Sequence, residues 1–165
     1  MPEQHSMRTT RVTQYVDAPP RRVYATLLDA AALPRWRVPD GMTAVVHQFD
    51  AREGGTLRVS LTYESSDEKG KSSAHTDTYH GRFLTLIPDR CVVEVDTFES
   101  ADPRMQGAMT STITLQECRD GTEVIAVHSD VPPGVDLADN ETGWRMALAK
   151  LAAIVEAQAR GGTES

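Results

Sequence analysis

The chain has 165 residues, 39% of them hydrophobic and 25% charged, with 24 acidic against 17 basic side chains and a formal net charge of −7. That length suits one domain, able to bury roughly 70% of its unfolded surface. The acidic balance argues against a nucleic-acid backbone as partner, and no apolar run approaches the ~20 residues of a membrane-spanning helix.

The opening "MPEQHSMRTTRV" is polar and lacks a signal-peptide core, so a cytoplasmic location is the simplest expectation. Residues 8–16 alternate as a strand, with Val12 and Val16 on one face and Thr13 and Tyr15 on the other. Asp17 before Ala18-Pro19-Pro20 predicts an N-cap, followed by a helix carrying Val23, Tyr24, Leu27 and Leu28. A second short helix or turn follows, with Pro34 expected to stop it near Trp36. Arg21, Arg22, Arg35 and Arg37 cluster here and read as a solvated basic face, with Arg35 and Arg37 able to stack on Trp36.

Beyond Asp40-Gly41 the period falls to two. Strands are predicted at 42–50, 56–64, 74–87, 90–98, 107–118 and 122–131. The clearest is 56–64, where Leu57, Val59, Leu61 and Tyr63 share a face. Residues 65–73 predict a polar hairpin loop, 99–106 a loop, and Asp120-Gly121 a tight turn. After Pro132-Pro133-Gly134 a helix is expected over 136–159, about 35 Å long at ~1.5 Å per residue. Its seam of Leu137, Glu141, Trp144, Leu148, Leu151 and Val155 needs a surface to lie on. Strand, two short helices, six strands and a long helix define an α+β protein: a curved antiparallel sheet of about seven strands gripping the C-terminal helix.

Five stretches in this order carry a resemblance to a known family: "DAPPRRVYATLLD" followed by "RW" at 35–36, "FDAREGG" at 49–55, "HGRFLTLIPDR" at 80–90, "DGTEV" at 120–124 and "GWRMALAKL" at 143–151. Over about residues 8–158 the chain resembles the helix-grip fold of the START-like (SRPBCC) superfamily, shared with the birch pollen allergen and polyketide cyclases. Within it the sequence is most similar to bacterial single-domain proteins related to the C-terminal domain of the heat-shock protein 90 ATPase activator. The resemblance implies a hydrophobic cavity between sheet and closing helix, with Trp144 as a wall residue and Gly143 permitting close approach of the helix's first turns. Filling of the core by Trp144 is the competing expectation.

Catalytic and metal signatures are weak. His47, His75, His80 and His128 fall on strands without HxH or HExxH spacing, and His5 lies near the start, so no metal is expected. Alternation places His80 with Arg82 on a wet face, opposite Tyr79 and Phe83, while His128 shares a face with Val124 and Ala126. There is no GxSxG elbow, and adjacent residues in "HSD" at 128–130 point to opposite faces. Asp77 and Asp96 make no convincing carboxylate pair; Asp136, Asp139 and Glu141 read as helix-start acids, Glu141 as a cap, with a reach to the cavity mouth as its alternative. "REGG" at 52–55 precedes no helix, so no nucleotide or other cofactor is expected. Cys91 and Cys118 match no metal or redox spacing and are expected to be buried, reduced thiols.

The leading expectation is a protein that binds a small hydrophobic or aromatic molecule in a cavity lined by Trp36, Tyr63, Tyr79, Phe83, Phe98, Met109, His128, Trp144 and Leu148. Tyr63, Tyr79 and His128 would be its polar anchors. A cyclase or dehydratase using the same pocket is the second reading, with His128 or Tyr79 as the acid–base group. A chaperone-associated protein-binding module is the third. Pairing of two chains through an edge strand, as a homodimer, is left open.

Overall fold

A computed structural model describes residues 8–63 and 76–162. Strand β1 (Thr10–Val16) leads into α1 (Pro20–Leu27) and the single-turn α2 (Leu33–Trp36). Six consecutive strands follow: β2 (Met42–Phe49), β3 (Thr56–Tyr63), β4 (Thr76–Ile87), β5 (Cys91–Phe98), β6 (Ala108–Cys118) and β7 (Gly121–Ser129). The long helix α3 (Leu137–Gly162) closes the order. The hairpin loop expected over 65–73, together with His5 and His75, lies outside the described residues.

All strands pair antiparallel in the order β1-β7-β6-β5-β4-β3-β2, so the first strand joins the last and β1 and β2 form the edges. Register irregularities between Val46 and Gln48 and between Phe83 and Thr85 help the sheet bend. The curled sheet turns its concave face to α3, and Leu57, Val59, Phe83, Val124 and Ala126 meet Leu148, Leu151 and Val155 in one core. This is the α+β helix-grip architecture.

Several local expectations shift. Asp17 does not cap α1; Pro19 occupies the cap position, and the Asp17 backbone N–H donates to Glu156 instead. Pro34 does not stop α2 but stands in its first turn, where its missing N–H costs nothing. The β6–β7 turn falls one residue early, on Arg119-Asp120, with Arg119 at φ 56° and Cys118 paired to Gly121. Glu141 caps nothing: Asp136 accepts from the Asp139 N–H, and Glu141 faces Arg145 one turn on. Cys91 and Cys118 are free and half-buried rather than fully buried. Arg8 binds β1 to the segment before α3, donating to the carbonyls of Val131, Pro132 and Val135.

Candidate functional site

Alternation along β5 builds the site. Val92, Glu94, Asp96 and Phe98 all point inward, placing two carboxyls on the concave face between apolar neighbours. Glu94 is 2% exposed and Asp96 4%. Two acids in that position require a buried cation, since an unpaired buried charge is very costly. Arg37 supplies it from the end of α2. Its guanidinium forks onto Glu94, with Nη1 to Oε1 at 3.1 Å and Nη2 to Oε2 at 2.5 Å, and Nη2 lies 3.4 Å from Asp96 Oδ2. The expectation that Arg37 belongs to a solvated basic face is therefore corrected, although Arg21 and Arg35 are exposed. Nor does Arg37 stack on Trp36: its Cζ stands 5.3 Å from the Tyr79 ring centroid and 5.4 Å from that of Trp144.

The cluster titrates as a unit. Burial alone would raise the Glu94 carboxyl, but the Arg37 charge and its hydrogen bonds outweigh that and hold it below the ordinary carboxylate range. Asp96 goes the other way: burial first, then the Glu94 carboxylate, lift it well above its usual value. Of the two acids Asp96 therefore holds a proton to the higher pH, and Arg37 pairs first with Glu94. Gly81, directly opposite Asp96 in the β4–β5 register, makes room for that carboxyl. A Cβ at residue 81 would overlap Asp96 Oδ1 and the Val95 carbonyl.

Two strands from Glu94, across Ser111, lies His128 on the same concave row. It is fully buried, with its ring 4.5 Å from that of Trp144. Burial, then the nearby Arg37 charge, lowers its pKa to about 4 against a smaller opposing effect of Glu94, so it is neutral at pH 7. Both ring nitrogens lack a hydrogen-bond partner, as does Asp96 Oδ1. Burial also pushes the Tyr79 phenol above its ordinary pKa.

Arg37, Tyr79, Asp96, His128 and Trp144 border a cavity of about 180 Å³ between the sheet and the first turns of α3, with Glu94 behind them. Of the residues expected to line it, Tyr79, Phe98, Met109, His128 and Trp144 do so. Trp36 is buried behind the lining, edge-on to Trp144 at 6.2 Å between ring centroids. Phe83 and Leu148 belong to the packed core, Phe83 against Phe49 at 5.6 Å. Tyr63 is 45% exposed and outside the lining, because β3 runs past the cavity after Leu61. His80 is exposed as well, bonded at 3.0 Å to Glu99, which also accepts from Nε and Nη2 of Arg58.

The lining also includes residues that the sequence did not place there, chiefly Arg37, Asp96, Leu61 and, at the mouth, Pro39, Asp139 and Asn140. Lys150 holds the mouth loop against α3, donating to the Val38 carbonyl at 2.7 Å and pairing with Asp40 at 2.9 Å. Gly143 also lines the mouth but permits no unusual approach. A Cβ there would meet Pro39 Cγ at 3.7 Å, an ordinary contact. Among the described residues, no group of three or more His, Cys, Asp or Glu side chains could hold a metal, and no helix is long and apolar enough to cross a membrane.

A concave sheet gripping a long helix, with a cavity between them, defines a START-like helix-grip protein. The sequence matches the model of the family described as "Activator of Hsp90 ATPase homolog 1-like protein" over residues 17–156, and the chain belongs to that family. A solved structure from Chromobacterium violaceum is 31% identical, covering 91% of this chain and 98% of that one at a TM-score of 0.81. An AHSA1 protein from Silicibacter pomeroyi is 20% identical, with 91% and 99% covered and a TM-score of 0.74. DynU16, from the dynemicin biosynthetic locus, shares the fold at 19% identity and a TM-score of 0.64, covering 90% of this chain and 47% of its own. No curated protein matches the chain in sequence.

Proposed function

We propose that the protein binds a small, largely apolar molecule in the cavity between the sheet and α3. The observation that carries this reading is the combination of an opening at the mouth, aromatic and aliphatic walls, and buried polar groups within one site. Native mass spectrometry of freshly purified protein, followed by organic extraction, tests it together with titration by small aromatic compounds. A stoichiometric added mass, or saturable one-to-one binding that weakens when Met109→Trp fills the cavity, is the expected result. Binding indifferent to that substitution would place the ligand elsewhere and sink the proposal.

One observation favours a second reading, an enzyme of the cyclase or dehydratase type. Asp96, whose carboxyl burial and Glu94 hold above the ordinary range, and His128, neutral at pH 7, border the same cavity and offer an acid and a base in a water-poor site. Turnover of an enolisable carbonyl compound, lost in both Asp96→Asn and His128→Leu with folding intact, would establish it; binding without turnover returns the protein to the first reading.

A further inference from the structure

The walls of the cavity define the shape of its occupant, and two polar side chains define its chemistry. We infer that the cavity takes an uncharged aromatic molecule bearing a hydroxyl group, seated with that hydroxyl against Asp96 and His128. This rests on the ligand-binding reading above and narrows it to one chemical class.

Size sets the first limit. At about 180 Å³ the cavity is modestly larger than the apolar cavity of roughly 150 Å³ that binds benzene. One or two fused rings fit; a long lipid chain does not. The walls favour flat rings, since Tyr79, Phe98 and Trp144 all border the space.

Charge sets the second. Arg37 is the cation of the lining, and its fork is already taken by Glu94. An anionic ligand would have to compete with that carboxylate for the same donors while losing its own hydration. A cation would exchange water for an imidazole that is neutral at pH 7 and an acid whose charge burial disfavours, and would stand close to Arg37; Asp139, the other carboxyl of the lining, is exposed at the mouth. Neither charge is favoured, and a neutral ligand brings no desolvation penalty of that size.

Hydrogen bonding sets the third. Asp96 Oδ1 and both nitrogens of His128 are buried without partners, and both residues border the cavity. A neutral imidazole offers one donor and one acceptor; a protonated carboxyl offers an acceptor oxygen or a donor hydroxyl. The group that serves either arrangement is one that donates and accepts from a single atom: a hydroxyl does both, whereas the lone pair of an aromatic amine is delocalised into the ring and accepts poorly. Ethers and ketones only accept, and leave an acceptor of the site unmet.

Equilibrium dialysis at pH 7 with naphthalene, 2-naphthol and 2-naphthoate, on the wild-type protein and His128→Leu, tests the inference. The three probes share one bicyclic body and differ in its polar group. The expected order places 2-naphthol at least about fivefold tighter than either naphthalene or 2-naphthoate, one net hydrogen bond being worth about that factor. In His128→Leu the preference for 2-naphthol collapses while naphthalene affinity stays within about threefold. Equal affinity for naphthalene and 2-naphthol, or a preference that survives the substitution, overturns the hydroxyl inference and leaves the apolar cavity standing. Tightest binding of 2-naphthoate overturns neutrality. No binding of any probe at millimolar concentration overturns both the inference and the binding reading beneath it.

Discussion

His128→Leu is the substitution whose consequences the structure determines most sharply. A leucine of similar bulk removes two buried nitrogens that have no partners, each kind of unmet group costing about 1–3 kcal/mol. Against this stands the ring contact with Trp144, worth about 0.5–1.5 kcal/mol. The net expectation at pH 7 is a variant more stable than wild type by at least about 1 kcal/mol, the reverse of the usual result for a buried residue. Acid should widen the gap. In the folded protein His128 has a pKa of about 4, whereas the unfolded chain takes its proton near 6.5. The unfolded state therefore binds more protons between these values, and wild-type stability falls as the pH drops from about 6.5 towards 4. The full loss is about 3 kcal/mol, and about 2 kcal/mol of it is already present at pH 5. Asp96 titrates in the opposite sense, its raised pKa lowering stability as the pH rises above the ordinary carboxylate range, so wild type alone would mix the two effects. The difference between wild type and His128→Leu isolates the histidine. Urea unfolding at pH 7 and pH 5, followed by far-UV circular dichroism, should show the variant's advantage growing by about 2 kcal/mol. A gap independent of pH, or a variant several kcal/mol less stable at pH 7, would refute the assignment of a neutral, unpartnered imidazole.

The buried acids provide a paired comparison. Asp96→Asn, an isosteric neutral replacement for the acid whose charge the site disfavours, should change stability at pH 7 by less than about 1 kcal/mol, while Glu94→Gln should cost about 3 kcal/mol by stripping Arg37 of its counter-charge; equal losses in denaturant titration would contradict the opposite shifts of the two acids. Gly81→Ala should cost about 2–3 kcal/mol, because the added methyl overlaps the Asp96 carboxyl and the Val95 carbonyl; thermal unfolding no lower than wild type would count against that packing. Gly143→Ala should instead stabilise by about 0.5–1 kcal/mol, the helix-propensity gain of alanine over glycine where the neighbouring Pro39 leaves room. A loss in the same assay would mean that the mouth is tighter than the 3.7 Å contact indicates.

Most of the fold could be read from periodicity. Leu57, Val59 and Leu61 at period two, and Trp144, Leu148, Leu151 and Val155 at helical spacing, announce faces that need covering, and the structure covers them with each other. The polar half of the site was less legible. Glu94 and Asp96 alternate with Val93 and Val95, so apolar residues mark one face and acids the other, and a rule that turns valines inward chooses wrongly. The decisive partner, Arg37, is 57 residues from Glu94 in sequence and stands two residues from the exposed Arg35, where nothing local separates the two. A usable signal did exist: Val92 and Phe98 share the acids' face, and two carboxyls between them call for a buried cation. Tyr63 shows the converse limit, since alternation identifies its face but not where along the strand the cavity ends.

The pairing of β1 with β7 also bears on how the molecule forms. Thr10 lies opposite His128, and Asn140 at the start of α3 donates to the Thr10 hydroxyl across a separation of 130 residues. Closing so long a loop costs entropy before any contact repays it, and topologies dominated by distant pairings fold slowly, in milliseconds to seconds. The six-strand meander can zip locally, hairpin by hairpin. Strand β1 and helix α3 can dock only once both ends of the described chain are present. During synthesis the concave face, with its buried arginine and two acids, must therefore remain open to water until α3 has left the ribosome. The cavity is among the last features of this protein to come into existence.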